Sequence, residues 1–262
     1  MKQSFLACVC ACAFSAAAMA GVITVEYVGG PSPMNTTGGG NVSDIVNEAV
    51  YMWEQVVPNT ENITLEFGWG NSGSAGEYTT LARGDGWYSG RIIFDSTLNC
   101  PWFLDPTPFA NTEYGPAHVE MQNFGAGDMI AGRWMAAAAP ETVNALDLLS
   151  VAEHEIGHAL GMSMSNPAYL QDAADGFVEL SSGPFAGSSL PVVNGAHFNP
   201  LLTPYGSVMS GVNAGERRLL SDIDIWAMRE FGSITASPEP APSVLVLLSL
   251  ASILLLRHAK KT

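Results

Sequence analysis

An α+β fold is predicted for this 262-residue chain from three observations. The first is the order of its patterns: strand, helix, further strands, one long helix, an irregular stretch and a closing helix. The second is the absence of any internal repeat. The third is size: once the two ends are set aside, residues 21–237 suffice for one large domain or two lobes sharing a cleft.

The opening "GVITVEYVG" (21–29) alternates apolar and polar residues and reads as a strand. "NVSDIVNEAVYMWEQVVP" (41–58) follows as a helix, with Ser43 or Asp44 as its N-cap and Pro58 as its stop. Its apolar stripe is Ile45, Val46, Ala49, Tyr51, Met52 and Val56. "NITLEFGW" (62–69) and "GRIIFD" (90–95) are strand patterns separated by a glycine-rich turn region. From Asn99 to Gly127 the chain is rich in Pro, Asn and Gly and reads as loop with one edge strand. "ETVNALDLLSVAEHEIGHALGM" (141–162) is the strongest helical pattern of the chain. Residues 163–205 are irregular, with "DAADG", "SSGPFAGSS" and "NGAHFNP". A last helix is expected from Ser221, where "SDID" makes a capping pattern, to Gly232.

Both ends are expected to fall outside the fold. Lys2, the apolar "FLACVCACAFSAA" and the small residues "AMA" make residues 1–20 a secretory signal peptide. A lipoprotein anchor through Cys8, Cys10 or Cys12 is disfavoured, because none has a leucine three residues upstream within a complete apolar core. Residues 238–262 hold Pro-Glu-Pro, an apolar run from Val244 to Leu256 and a basic tail. That run would span about 20 Å as a helix, against about 30 Å of hydrocarbon. Arg257, Lys260 and Lys261 should stay cytoplasmic, leaving everything before Pro238 outside. This end resembles the PEP-CTERM sorting signal of Gram-negative bacteria that make exopolysaccharide. The resemblance implies cutting by an exosortase after transient anchoring in the inner membrane, then release or retention at the cell surface. A plain membrane anchor is the alternative, and both readings place residues 21–237 outside the cytoplasm.

Residues 21–237 contain no lysine, and six arginines face twenty-four acidic residues, a net charge of −18. Such a surface repels nucleic acid and anionic lipid, so neither is expected as a partner. Membrane contact is expected only through the C-terminal segment. Cys100 is alone in this portion, so no internal disulfide is available to it.

"VAEHEIGHALGMSMS" (151–165) carries the chemistry. Four residues along a helix advance the azimuth by about 400°, so His154 and His158 face the same way, one turn apart. Two imidazoles so placed can share a zinc ion at about 2.0–2.1 Å each. Glu155 lies beside the first, placed to act as a general base on a zinc-polarised water without binding the metal. Three further histidines compete for a third ligand position: His118 in "YGPAHVEM", His197 in "NGAHFNPLLTPYGSVMSG", and His258 in the basic tail beyond the membrane.

"DLLSVAEHEIGHALGM" resembles the active-site helix of metzincin proteases, the matrixins above all, including Gly161 where that family's chain leaves the helix. Most metzincins have a third histidine or an aspartate three residues after this glycine; here stands Met164, and a thioether is a poor zinc ligand. Leishmanolysin-like proteases instead bring the third histidine back after a long insertion, shortly before a Met-turn. In that layout the third ligand is His197, with His118 as the fallback, and Met209 in "YGSVMSG" is the Met-turn methionine. "RRLLSDIDIWAMREFG" resembles the closing helix of a matrixin domain. The motifs cover roughly residues 146–232; upstream only the order of elements agrees. The resemblance implies a zincin with a mixed sheet and long helices in an upper lobe, and an irregular lower lobe with a closing helix.

It also implies a secreted zinc endopeptidase acting as a monomer on protein or peptide substrates, which would pair with an edge strand near residues 90–95. The alternative is a non-catalytic metal- or glycan-binding protein of the exopolysaccharide layer. "DAADGFVE" (172–179) has the composition of a calcium loop without its full spacing, and a solvated acidic loop is the better reading. Cys100 is expected as a buried free thiol rather than a latency ligand. The scattered tryptophans and tyrosines are expected in core or cleft wall rather than as a glycan platform.

Overall fold

A computed structural model describes residues 21–231 except 59, 60, 85, 194, 195 and 204. The expected signal peptide and sorting segment lie outside the described residues. Strand β1 (Ile23–Gly29) leads through the short β2 (Thr36–Thr37) into helix α1 (Val42–Val56). The N-cap of α1 is Asn41 rather than Ser43 or Asp44: its extended backbone lets Oδ1 accept from the amides of both, at 2.8 and 3.2 Å. Ile45, Val46, Ala49, Val50 and Trp53 form the buried face. Tyr51, expected in that stripe, points to solvent at 55% exposure, since two residues from Ala49 is more than half a turn away.

Three strands follow: β3 (Asn62–Gly70), β4 (Gly76–Gly84) and β5 (Trp87–Asp95). They join β1 in a mixed sheet of order β1-β3-β5-β4, in which only β4 runs antiparallel. The period-2 pattern sends Ile63, Leu65, Phe67 and Trp69 of β3, with Tyr88, Ile92 and Phe94 of β5, into the core. Two sequence expectations fail here. Residues 90–95 lie in β5, paired on both sides, and the edge belongs to β4, which had read as turn. β4 escapes the pattern because its outer edge is unpaired and most of its side chains face solvent, leaving "EYTTLAR" without a burial-driven alternation.

The stretch 99–127, read as loop with one edge strand, contains the short β6 (Trp102–Phe103) and an edge strand, β7 (Tyr114–Asn123). β6 bridges β2 and β9 (Leu146–Asp147) in a short parallel ribbon. β7 and β8 (Asp128–Ala137) make an antiparallel hairpin, extended beyond β8 by β13 (Glu216–Arg218).

Helix α2 (Leu148–Leu160) is the core of the molecule: twelve of its thirteen residues are buried. It starts seven residues later than its apolar pattern suggests. Asp147 caps it, accepting from the Ser150 amide at 3.2 Å and hydroxyl at 2.6 Å. Asp147 is itself gripped by Arg217 of β13 through Nε at 2.9 Å and Nη2 at 2.8 Å, and the same guanidinium reaches Asp105 at 2.6 Å. All three side chains are fully buried, so this ion cluster fixes the start of α2 against β13 and the loop after β6. The α1 face packs on α2, and Trp53 Nε1 donates to the Glu153 carbonyl at 2.9 Å.

After α2 come α3 (Pro167–Asp172), a small antiparallel sheet of β10 (Phe177–Glu179), β11 (Ser189–Val193) and β12 (His197–Phe198), and finally α4 (Asp222–Phe231). The α+β class holds. No helix among the described residues is long and apolar enough to cross a membrane.

Candidate metal centre

His154 and His158 project from one face of α2, as their spacing requires. Gly161 ends that helix with φ +143°, a conformation that favours glycine, and a Cβ there would lie 2.7 Å from Phe231 Cβ. The chain then travels through α3, β10 and β11 before a turn through Ala196 (φ +63°) starts β12. The pairing of His197 with Val193, and of Phe198 with Val192, sets the return, and the buried Phe198 anchors it.

The three rings meet. His154 Nε2 lies 3.1 Å from His197 Nε2 and 3.2 Å from His158 Nε2. One ligand nitrogen from each lies within 4.8 Å of the others. His154 and His197 stack at 15°, with His158 nearly perpendicular to both.

The remaining nitrogens decide what this convergence is for. His154 Nδ1 donates to the Val208 carbonyl at 2.8 Å, and His158 Nδ1 to the Met162 carbonyl at 2.6 Å. A carbonyl only accepts, so each Nδ1 keeps its hydrogen and each Nε2 of a neutral ring carries a bare lone pair. Two bare lone pairs 3.2 Å apart repel one another; a shared cation turns the contact favourable. Tetrahedral zinc at 2.0–2.1 Å would hold ligand nitrogens about 3.3 Å apart. Burial favours the same neutral state. It pushes the His154 ring well below the ordinary imidazole range, His158 down to about 4, and His197 downward too. The donor set therefore fits a divalent cation of zinc's type.

Met209 sits beneath the pair. The turn Val208–Ser210 is buried, and a Cβ on Gly157 would meet Met209 Sδ at 2.3 Å, so helix and turn touch at the level between the two histidines. This turn also supplies the carbonyl that orients His154. It is held from below by Asp224 of α4, whose buried carboxylate accepts from the amides of Val208, Met209 and Ser221 and from the hydroxyls of Ser207 and Ser221. The "SDID" pattern thus does more than start a helix: it fastens the turn under the three histidine rings.

Glu155 is 3% exposed, and its carboxyl faces β4. A Cβ on Gly76 would lie 2.6 Å from Glu155 Oε1, so the space this carboxyl occupies depends on a glycine across from it. The Tyr78 amide donates to it, but burial dominates and Glu77 adds repulsion, pushing its pKa up to about 8. Gly76, the Tyr78 amide and Arg217 are invisible to local sequence patterns, because their partners lie 70 or more residues away.

A cleft of about 610 Å³ opens over these groups. Gly76, Glu77 and Tyr78 of β4 form one wall, and the segment Ser210–Val212 with Phe198 and Pro200 another. Met164 is another lining residue of the cleft, 55% exposed. His118, the fallback ligand, is not in the cluster: it stacks on Trp134 across the β7–β8 hairpin, with centroids 4.1 Å apart. Cys100 is half-buried rather than buried, its Sγ 3.0 Å from the Asn144 carbonyl. In the 172–179 loop, Asp172 and Asp175 accept from the amides of Glu179 and Phe177 as turn caps. The ring cluster is the one grouping of His, Cys, Asp and Glu found suited to a metal among the described residues. No protein-family model, curated protein or solved structure matches this chain.

Proposed function

We propose that the chain is a zinc-dependent endopeptidase of the metzincin type, exported and sorted as its two ends suggest. The observation that carries this is the meeting of three imidazole Nε2 atoms beside a buried carboxyl, at the floor of an open cleft. His154, His158 and His197 would hold the ion, three protein ligands being the number that catalytic rather than structural zinc sites use. Zinc bound there supplies a Lewis acid and an acidified water. Glu155 takes the proton from the attacking water and returns it to the leaving amide nitrogen. In the metal-free protein burial raises its proton affinity, and a cation held by the three rings would draw the carboxyl back toward the ionised form that a base needs.

The free edge of β4 borders the cleft, so an extended peptide would add to the sheet there, rather than on 90–95. A metal- or glycan-binding role without catalysis would leave Glu155 without a task. The test is casein digestion by purified residues 21–237, with and without a chelator, beside Glu155→Ala. Cleavage that survives the chelator, or full activity in the variant, would refute the reading.

A further inference from the structure

Beyond the wall formed by Ser210, Gly211 and Val212 lies a second recess of about 260 Å³, sharing those residues and Pro200 with the main cleft. Tyr205, Gly206, Asn213 and Arg218 complete it. The Arg218 side chain is 2% exposed, and its guanidinium lies 4.0 Å over the Tyr205 ring. Nη2 pairs with Glu216 at 3.1 Å, whereas Nε and Nη1 are buried and make no hydrogen bond among the described residues. Ser210 Oγ, on the wall between the two spaces, is likewise buried and unbonded.

A guanidinium nitrogen can only donate, and burying such donors unmatched is costly. The two point along different edges of the guanidinium, and Nη1 is the one at the recess wall, 3.4 Å from where a Cβ on Gly206 would sit. With the Ser210 hydroxyl in the same recess, it calls for a ligand rich in acceptor oxygens, and a carboxylate brings two of them with a negative charge for the guanidinium. The setting sharpens the choice. Among the residues lining the two spaces Arg218 is the one cation, so an acidic group of a bound substrate would find its attractive partner here, beside the pairing with Glu216.

We propose that this recess is a carboxylate-binding subsite of the substrate cleft, in which Arg218 and Ser210 hold an acidic side chain or the terminal carboxylate of a bound peptide. The assignment rests on the peptidase reading and narrows its substrate class.

The test compares matched peptides on the zinc-loaded wild-type protein. One series places Glu or Gln in turn at each position around the cleaved bond; the other offers a free or an amidated C-terminus. A preference of about tenfold or more in kcat/KM is expected for Glu at one position, or for the free terminus, as befits a charged hydrogen-bonded pair. The two series tell a side-chain carboxylate from a terminal one. Ser210→Ala should shrink that ratio severalfold and Arg218→Gln should abolish it. Should the buried arginine variant fail to fold, the wild-type ratio still decides. Equal rates in every pair would overturn the subsite and leave the peptidase standing. If no peptide is cleaved, the peptidase reading falls, and peptide binding to the same protein by calorimetry judges the recess. A lower Kd for the carboxylate form then supports it, and equal Kd values overturn it.

Discussion

Glu155→Gln should stabilise the metal-free protein at neutral pH while removing its activity. The wild-type carboxyl is 3% exposed and titrates near 8, against an ordinary value of 4.5. The folded state therefore holds this proton more tightly than the unfolded chain does. The stability it contributes is complete below about pH 4.5 and is lost as pH rises through 8. The gap corresponds to about 4–5 kcal/mol over the whole window, of which about 3 kcal/mol is gone by pH 7. Gln keeps the shape and cannot ionise. The opposing titration of His158, whose ring is held down to about 4, destabilises both proteins equally as pH falls and cancels in the difference. Allowing for relaxation around the charge, the metal-free variant should gain about 2–3 kcal/mol at pH 8, or about 5–10 °C in Tm. At pH 4.5 it should gain nothing. Thermal unfolding of both chelator-treated proteins from pH 4.5 to 8 reads this directly. Tm curves that stay parallel across the range would refute the claim that Glu155 is a desolvated carboxyl.

Other perturbations probe the surrounding parts. His197→Ala should weaken zinc affinity by about 10²–10³-fold, one ligand's share of a three-imidazole site, whereas His118→Ala, which removes only a stacking partner of Trp134, should leave it unchanged; competition with a chromogenic chelator measures both. Gly76→Ala should displace the Glu155 carboxyl from its place 2.6 Å away, cutting kcat while zinc content stays at the wild-type level. Asp224→Ala strands five donors at once beneath the Met209 turn and should cost about 3–5 kcal/mol in denaturant unfolding.

The metal centre was more legible in the sequence than the sheet around it. Helical periodicity brings His154 and His158 together, the HExxH motif singles out Glu155 between them, and a short inventory of histidines leaves two candidates for the third ring. The choice of His197 rests on the resemblance to leishmanolysin-like proteases, in which the third histidine returns shortly before a Met-turn. The strands were harder because their signal depends on burial. β3 and β5 are packed and alternate cleanly, whereas β4 and β7 expose most of their side chains and so carry almost no period-2 apolar pattern. Helix α2 was overextended because "ETVNALD" continues its apolar spacing. The true start is set by the cap Asp147, fixed by an arginine 70 residues further on that no local window contains. Asn41 displaced Ser43 and Asp44 as a cap for a simpler reason: all three residue types cap well, and backbone geometry alone chooses among them.

The most direct measurement is an anomalous-scattering map at the zinc edge from crystals of residues 21–237. A single ion bonded at about 2.0–2.1 Å to Nε2 of residues 154, 158 and 197 is the expected result. A ring at 197 turned away from the other two, with no ion between them, would contradict it.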